Sequence, residues 1–415
     1  FCTASNLTND AVYEFQVRAE NAVGLGPNAA TTPNYTVPSG VSTLTNLVPA
    51  AGGKSATLAP TFASGTLAYT VTVPYLDATG TLTPTISAPG STITVNGTTL
   101  ASGATSAAIP LAAGASTVVT IVVTAPDEVT TTTYTVTFNR AAPPTKLGVS
   151  TAPVAAASES LLSPQPVIAV QTAAGLVSTD SSAPVTIATS GGELLCSGGG
   201  TACLTTNAVN GIATFSGVIF AGLTDVTYTL TFSSPSLTSV TAPIAPTGAG
   251  PAAALAITTQ PSSSTQAGTA FAQQPAVAIL DRLGNTVTTG ASATSTITLT
   301  LSNGTGTLSG TTSRAAVAGV ATFTGLSIDK VGTDKVLTAT ATLVGTSRTV
   351  LTSPQFAITT GPVASLTLTP VDVNGTTDTS NLVAGELRMF RATVLDAYGN
   401  TVTTTSGNVS FIQSN

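Results

Sequence analysis

One ten-residue stretch recurs: Leu280-Asp281-Arg282-Leu283-Gly284-Asn285-Thr286-Val287-Thr288-Thr289 returns as Leu395-Asp396-Ala397-Tyr398-Gly399-Asn400-Thr401-Val402-Thr403-Thr404. A decayed copy, Gln171-Thr172-Ala173-Ala174-Gly175-Leu176-Val177-Ser178-Thr179, stands upstream. Each follows an alternating apolar run such as Ala276-Val277-Ala278-Ile279-Leu280. The pattern predicts a strand, a tight turn and a second strand. Asp281 and Asp396 fold back on their own backbone, while Gly284-Asn285 and Gly399-Asn400 supply the positive-φ residues of the turn. A repeated strand-turn unit implies an array of β-domains.

Other anchors keep the same spacing. Thr151-Ala152-Pro153 and Thr259-Gln260-Pro261 stand 108 residues apart, and so do Gly211-Ile212-Ala213-Thr214-Phe215 and Gly319-Val320-Ala321-Thr322-Phe323. Units of about 100 residues are whole sandwich domains, not solenoid repeats. A third copy begins near Pro362 and is incomplete at Asn415. Because Thr172 and Leu176 replace the acid and the asparagine in the first copy, the turn acid reads as structural: it pins the register of one hairpin per domain.

Composition narrows the function. Charged residues make up 7% of the 415, whereas the hydrophobic share is 42%, so cores can form although surfaces carry few ions. Thr and Val suit pleated, half-buried surfaces, and no stretch has helical periodicity; the chain reads as all-β with no significant helix. The 11 Lys and Arg are scattered and the net charge is −6, which argues against nucleic acid as a partner. The longest apolar run, Val118-Val119-Thr120-Ile121-Val122-Val123, is too short to span a bilayer as a helix. His is absent, excluding every His-based triad. The acids are sparse and sit at turns, so no catalytic pair and no cofactor or metal site is expected. At Asp281 and Asp396 the alternative to a structural turn is a weak calcium site, one acid plus backbone carbonyls.

Cys196 and Cys203 frame the Gly-rich loop Ser197-Gly198-Gly199-Gly200-Thr201-Ala202. A structural disulfide closing this loop is the preferred reading and implies an oxidising compartment; zinc and two free thiols are the alternatives. The partner of Cys2 is expected before Phe1. Most aromatic residues fall at inward strand positions. Tyr398, inside a turn, is the exception, either a contact residue or a loop-packing one. Sequons occur at Asn6, Asn34, Asn96, Asn303, Asn374 and Asn408. Lys54, Lys146, Lys330 and Lys335 are not at equivalent repeat positions, which argues against Lys–Asn crosslinks.

Three resemblances follow. Tyr13-Glu14-Phe15-Gln16-Val17-Arg18-Ala19-Glu20-Asn21-Ala22-Val23-Gly24-Leu25-Gly26 resembles the last two strands of a fibronectin type III domain. It places 1–37 as the C-terminal part of one, with the alternating Tyr13, Phe15, Val17 and Ala19 facing a core and Tyr13 as its tyrosine-corner residue. Residues 42–140, with Leu67-Ala68-Tyr69-Thr70-Val71-Thr72-Val73, the Asn96-Gly97 turn and the closing Tyr134-Thr135-Val136-Thr137-Phe138, resemble the bacterial cadherin-like β-sandwich. Asp77, Asp127 and Glu128 are too few for cadherin calcium chemistry. Residues 146–249, 252–360 and 362–415, the last incomplete, resemble the immunoglobulin-like repeats of bacterial surface proteins of the invasin and intimin type. Asp-x-x-Gly-Asn-x-Val and Gly-x-Ala-x-Phe carry that resemblance. Pro38-Ser39-Gly40 and Ala141-Ala142-Pro143-Pro144-Thr145 are linkers, the second stiffened by adjacent prolines.

The expected fold is a tandem array of immunoglobulin-like β-sandwich domains. The expected function is non-enzymatic: a segment of an extracellular or cell-surface bacterial protein serving as a stalk, adhesin shaft or filament subunit. Its partners would be proteins, including further copies of itself in a filament or surface layer that could complete the partial end domains. Two alternatives are a non-catalytic accessory region of a secreted polysaccharide-degrading enzyme and a ligand-binding adhesin.

Overall fold

Period-two burial runs through the longest strands. In Ala68–Val73 the buried residues are Tyr69, Val71 and Val73; in Thr131–Arg140 they are Tyr134, Val136 and Phe138, with threonines facing outward. Alternate side chains of a strand point to opposite faces, so such a pattern buries one face against a second sheet. The structure is a computed structural model that describes residues 3–29, 34–344, 346–381 and 385–403. Cys2 and Asn408 lie outside the described residues.

The chain is all-β, and its helical elements among the described residues are the short 3-10 turns Ala202–Leu204 and Ala291–Thr294. Among the described residues, three separate hydrophobic clusters define three tandem sandwiches. In the first sandwich a five-stranded sheet runs Thr98–Leu100, Thr92–Val95, Ser116–Thr124, Thr131–Arg140, Ala68–Val73. It faces a four-stranded sheet, Ile109–Pro110, Thr79–Ile86, Leu44–Ala51, Lys54–Ser55. Both buried tyrosines here satisfy their hydroxyls: Tyr69 donates to the Ala63 carbonyl at 2.7 Å and Tyr134 to the Ser64 carbonyl at 2.8 Å.

The second sandwich has a seven-stranded sheet containing Pro144–Thr151, Val167–Thr172 and Tyr228–Ser234, covered by Ser160–Leu161, Val218–Ala221 and Glu193–Cys196. Its core includes Phe215 and Phe232, packed edge to face at 5.7 Å. The third divides its strands differently. Ala252–Thr259, Ala276–Asp281 and Val320–Thr322 form one sheet, and a larger sheet is built on Thr296–Asn303, Gly332–Leu343 and Phe356–Thr359. A further antiparallel pair, Val363–Val371 with Met389–Asp396, follows.

Two expectations need correction. The Tyr13 to Ala19 face is not sealed in a core: Val17 is 62% exposed. The described strands of that segment form two two-stranded pairs with no covering sheet among the described residues. The turn motif also lacks a second strand. After Asp281 the chain makes one isolated bridge, Leu280 to Thr286, and after Asp396 one bridge, Leu395 to Thr401, before leaving the sheet.

Candidate functional site

The repeated turn closes the same way each time. The Asp281 N–H donates to the Asn285 carbonyl at 2.9 Å, and the Gly284 N–H to the Asp281 carbonyl at 3.3 Å. Equivalent bonds join Asp396 with Asn400 and Gly399 at 3.0 and 3.1 Å. Gly284 and Gly399 take the positive φ, at 95° and 76°. Asn285 and Asn400 do not: the expectation that asparagine shares this backbone role is wrong, and its side chain has other work.

Both carboxylates are buried and accept four hydrogen bonds. In Asp281, Oδ1 accepts from the N–H groups of Leu283 and Asn285, both at 2.9 Å. Oδ2 accepts from the Gly250 N–H and from Asn285 Nδ2, both at 2.8 Å. Asp396 repeats the set with Tyr398, Asn400, Gly361 and Asn400 Nδ2. Gly250 lies between the second and third sandwiches and Gly361 between the third and the antiparallel pair that follows it, so each turn grips its own incoming linker.

The asparagine reaches further. Asn285 Nδ2 donates to the Gly222 carbonyl at 3.0 Å, and its Oδ1 accepts from the Thr224 N–H at 2.8 Å. Both partners belong to the preceding sandwich. Asn400 does the same one unit later, with the Asp329 carbonyl at 2.8 Å and the Val331 N–H at 3.2 Å. A side-chain amide offers a carbonyl oxygen and two N–H groups, so it substitutes for a peptide unit against C=O(i) and N–H(i+2). Its second N–H goes to the aspartate, and every polar atom of the buried pair is satisfied. The turn is therefore more than a register pin. It clamps one domain, its linker and the domain before it.

Each ledge that receives an asparagine is braced from its own domain. Tyr228 Oη accepts from the Leu223 N–H at 2.9 Å. Lys335, fully buried, donates from Nζ to the Thr305 carbonyl at 2.6 Å and the Val331 carbonyl at 3.3 Å. Side contacts differ between the joints. Arg282 pairs with Glu159 and, at 2.8 Å, with Glu193. At the later joint Lys330 Nζ donates to the Tyr398 carbonyl at 2.6 Å, and the Tyr398 ring lies against Gly268, where a Cβ would come within 1.9 Å of it. Tyr398 thus packs between domains.

Burial pushes the Asp281 and Asp396 carboxyls up, but the hydrogen bonds from the asparagine side chains and the backbone N–H groups outweigh it. Asp281 ends below the ordinary carboxylate range and Asp396 is pushed down to about 2. A depressed carboxyl contributes stability that is fully present above the unfolded value near 4 and is lost as pH falls through the folded value. Scattering curves of the chain are expected to be unchanged from about pH 7 to 4 and to shift between about pH 4 and 2. A transition above about pH 5 would contradict the assignment, because the chain has no His.

The other sequence-predicted residues lie apart from these joints. Cys196 and Cys203 form a disulfide that closes the Gly-rich loop. The Tyr13 hydroxyl accepts from the Thr8 N–H at 2.8 Å. Among the described residues, no group of three or more His, Cys, Asp or Glu is placed to hold a metal ion, and no helix is long and apolar enough to cross a membrane. Sequence reasoning missed Gly250 and Gly361, although a signal was present: Gly-Pro opens both clamped domains, at Gly250-Pro251 and Gly361-Pro362.

Comparison with known families adds one match: the model described as Cadherin-like beta sandwich domain fits residues 44–141. Residues 44–141 are a cadherin-like β-sandwich domain. The cadherin-like domain is a non-catalytic module. No curated protein matches the chain. Solved structures similar to it include a β-glycosidase from Bacteroides vulgatus, 13% identical, covering 40% of this chain and 22% of that one, with a TM-score of 0.21. Drosophila N-cadherin EC1-3 is 12% identical, with 71% and 98% coverage and a TM-score of 0.19. E. coli alpha-2-macroglobulin is 10% identical, with 87% and 29% coverage and a TM-score of 0.21. At those scores the likenesses carry no argument, and this chain spans about a fifth of the glycosidase.

Proposed function

We propose that this chain is a structural segment of an extracellular bacterial surface protein, a non-enzymatic shaft that spaces or projects other parts. In this reading the units are 1–37, a fibronectin type III end; 42–140, the cadherin-like domain; and 146–249, 252–360 and 362–415, immunoglobulin-like repeats of the invasin and intimin type. The observation that carries it is the repeated clamp. Asn285 and Asn400 each tie a domain to main-chain atoms of the one before, so the side chains of this repeated motif are spent on joining domains. Domains joined by a plain linker move independently by default; direct buried bonds across a joint favour a held geometry. The disulfide at Cys196 and Cys203 fits an oxidising exterior. Low surface charge suits side-by-side contact with proteins, including other copies of the chain, because few ions need desolvation.

Immunogold labelling of intact producing cells with antibody against residues 146–249 tests this. Label on the outer surface, removed by external protease, is the expected result. Label confined to the cell interior would overturn it.

A further inference from the structure

We propose that the joint at Ala141 to Thr145, between the cadherin-like domain and the sandwich after it, is a compliant swivel, and that the joints at Gly250 and Gly361 are locked.

The same backbone turn stands at these three joints, those of Ala142, Gly250 and Gly361. At the first, the Thr172 N–H donates to the Leu176 carbonyl and the Gly175 N–H to the Thr172 carbonyl, both at 2.9 Å. Gly175 takes the positive φ, 85°. The turn thus forms without aspartate or asparagine, the Thr172 hydroxyl accepting from the Leu176 N–H at 3.3 Å where a carboxylate oxygen does so in the other copies. What changes is the reach across the joint. Leu176 is 70% exposed, where Asn285 is 6% and Asn400 7% exposed. The strand registers align the linkers as well. Pro144 pairs with Thr172, Ala252 with Asp281 and Val363 with Asp396, so Ala142 occupies the place of Gly250 and Gly361. No carboxylate faces that N–H, because position 172 is threonine.

The swivel has narrow limits. The linker is fixed to the cadherin-like domain as far as Ala141, whose N–H donates to the Val73 carbonyl at 2.9 Å and whose carbonyl accepts from Gly114 at 3.1 Å. From Pro144 it is part of the next sheet. Ala142 and Pro143 lie between. Among the described residues one hydrogen bond crosses from domain to domain, the exposed Leu76 N–H to Asp180 Oδ2 at 2.8 Å. An exposed hydrogen bond competes with water and holds weakly. The adjacent prolines keep the linker extended, so the freedom is rotation about it and not collapse. The presence of Asp-x-x-Gly-Asn after Gly-Pro then reports, from sequence, whether a joint is locked.

Nitroxide distance distributions on the full chain test this, with Cys2→Ser and label pairs on exposed residues. Thr99→Cys with Thr186→Cys spans the first joint, and Thr186→Cys with Ser313→Cys spans the second. The first distribution is expected to be about twofold broader than the second. Asp281→Thr with Asn285→Leu, which copies the first joint onto the second, is expected to broaden the second to match. Equal widths in the unaltered chain, or an unchanged second distribution in the double variant, would overturn the swivel. Neither result bears on surface exposure, so the swivel and the shaft reading fail separately.

Discussion

Asp281→Asn is expected to destabilise the third sandwich by about 2–5 kcal/mol, although it changes neither size nor shape. The reason is the donor count. Each carboxylate oxygen accepts two hydrogen bonds. An amide puts an NH₂ where one oxygen stood. In one orientation the N–H groups of Leu283 and Asn285 lose their acceptor; in the other, those of Gly250 and the Asn285 side chain do. A buried donor left without a partner costs about 1–3 kcal/mol. Calorimetry of the whole chain should show one transition falling by about 10 °C or more. Asp372 supplies the contrast. It accepts from the Asn374 and Thr376 N–H groups in a similar turn, but it is only partly buried. Water can reach the orphaned donors there, and Asp372→Asn should stay within about 0.5 kcal/mol. Similar losses at both sites would mean that the clamp adds nothing beyond the turn.

Gly319→Ala is expected to cost a similar amount, about 2–5 kcal/mol, by a different route. Gly319 opens the Gly-x-Ala-Thr-Phe motif and has φ of 79°. A Cβ there would lie 2.3 Å from the Val287 carbonyl oxygen and 3.0 Å from its carbon. The left-handed backbone alone costs a residue with a Cβ about 1–2 kcal/mol. The obstructing atoms are main chain and cannot rotate away, so forcing them apart adds about 1–3 kcal/mol. Gly284→Ala separates the two effects, since Gly284 has φ of 95° and nothing within 4 Å of its Cβ position. It should lose only the backbone part. Denaturation of both variants checks the ranking, and equal losses would place the whole effect in the backbone. The clash also explains why the motifs travel together. Gly319 sits against the segment that leaves the Asp281 turn, and its carbonyl accepts from the Ile279 N–H at 2.8 Å.

The fold was legible in the sequence because its causes are local and periodic. Tyr69, Val71 and Val73 alternate, and the anchors Phe215 and Phe323, 108 residues apart, lie in the cores of the second and third sandwiches. The clamp was only half legible. Asp281 and Asn285 were visible as a turn, but the partners of Asn285 are the main-chain groups of Gly222 and Thr224, and main-chain groups leave no residue signature. Arg282 reaches Glu159 and Glu193, 123 and 89 residues away, with nothing local to announce the pairing. Burial at the N-terminal segment was misjudged for a related reason. The alternation of Tyr13, Phe15, Val17 and Ala19 fixes which side chains share a face, but covering that face requires a second sheet, which strand periodicity does not report.

Amide hydrogen exchange at Thr224 and Val331 tests the clamp most directly, because each of these N–H groups donates to an asparagine of the following domain. Slow exchange is predicted at both in the unaltered chain. Asn285→Leu should accelerate Thr224 by tens of fold, from the loss of about 2 kcal/mol, and leave Val331 unchanged; Asn400→Leu should do the reverse. Unprotected exchange at Thr224 and Val331 in the unaltered chain would contradict the claim that these turns lock one domain to the next.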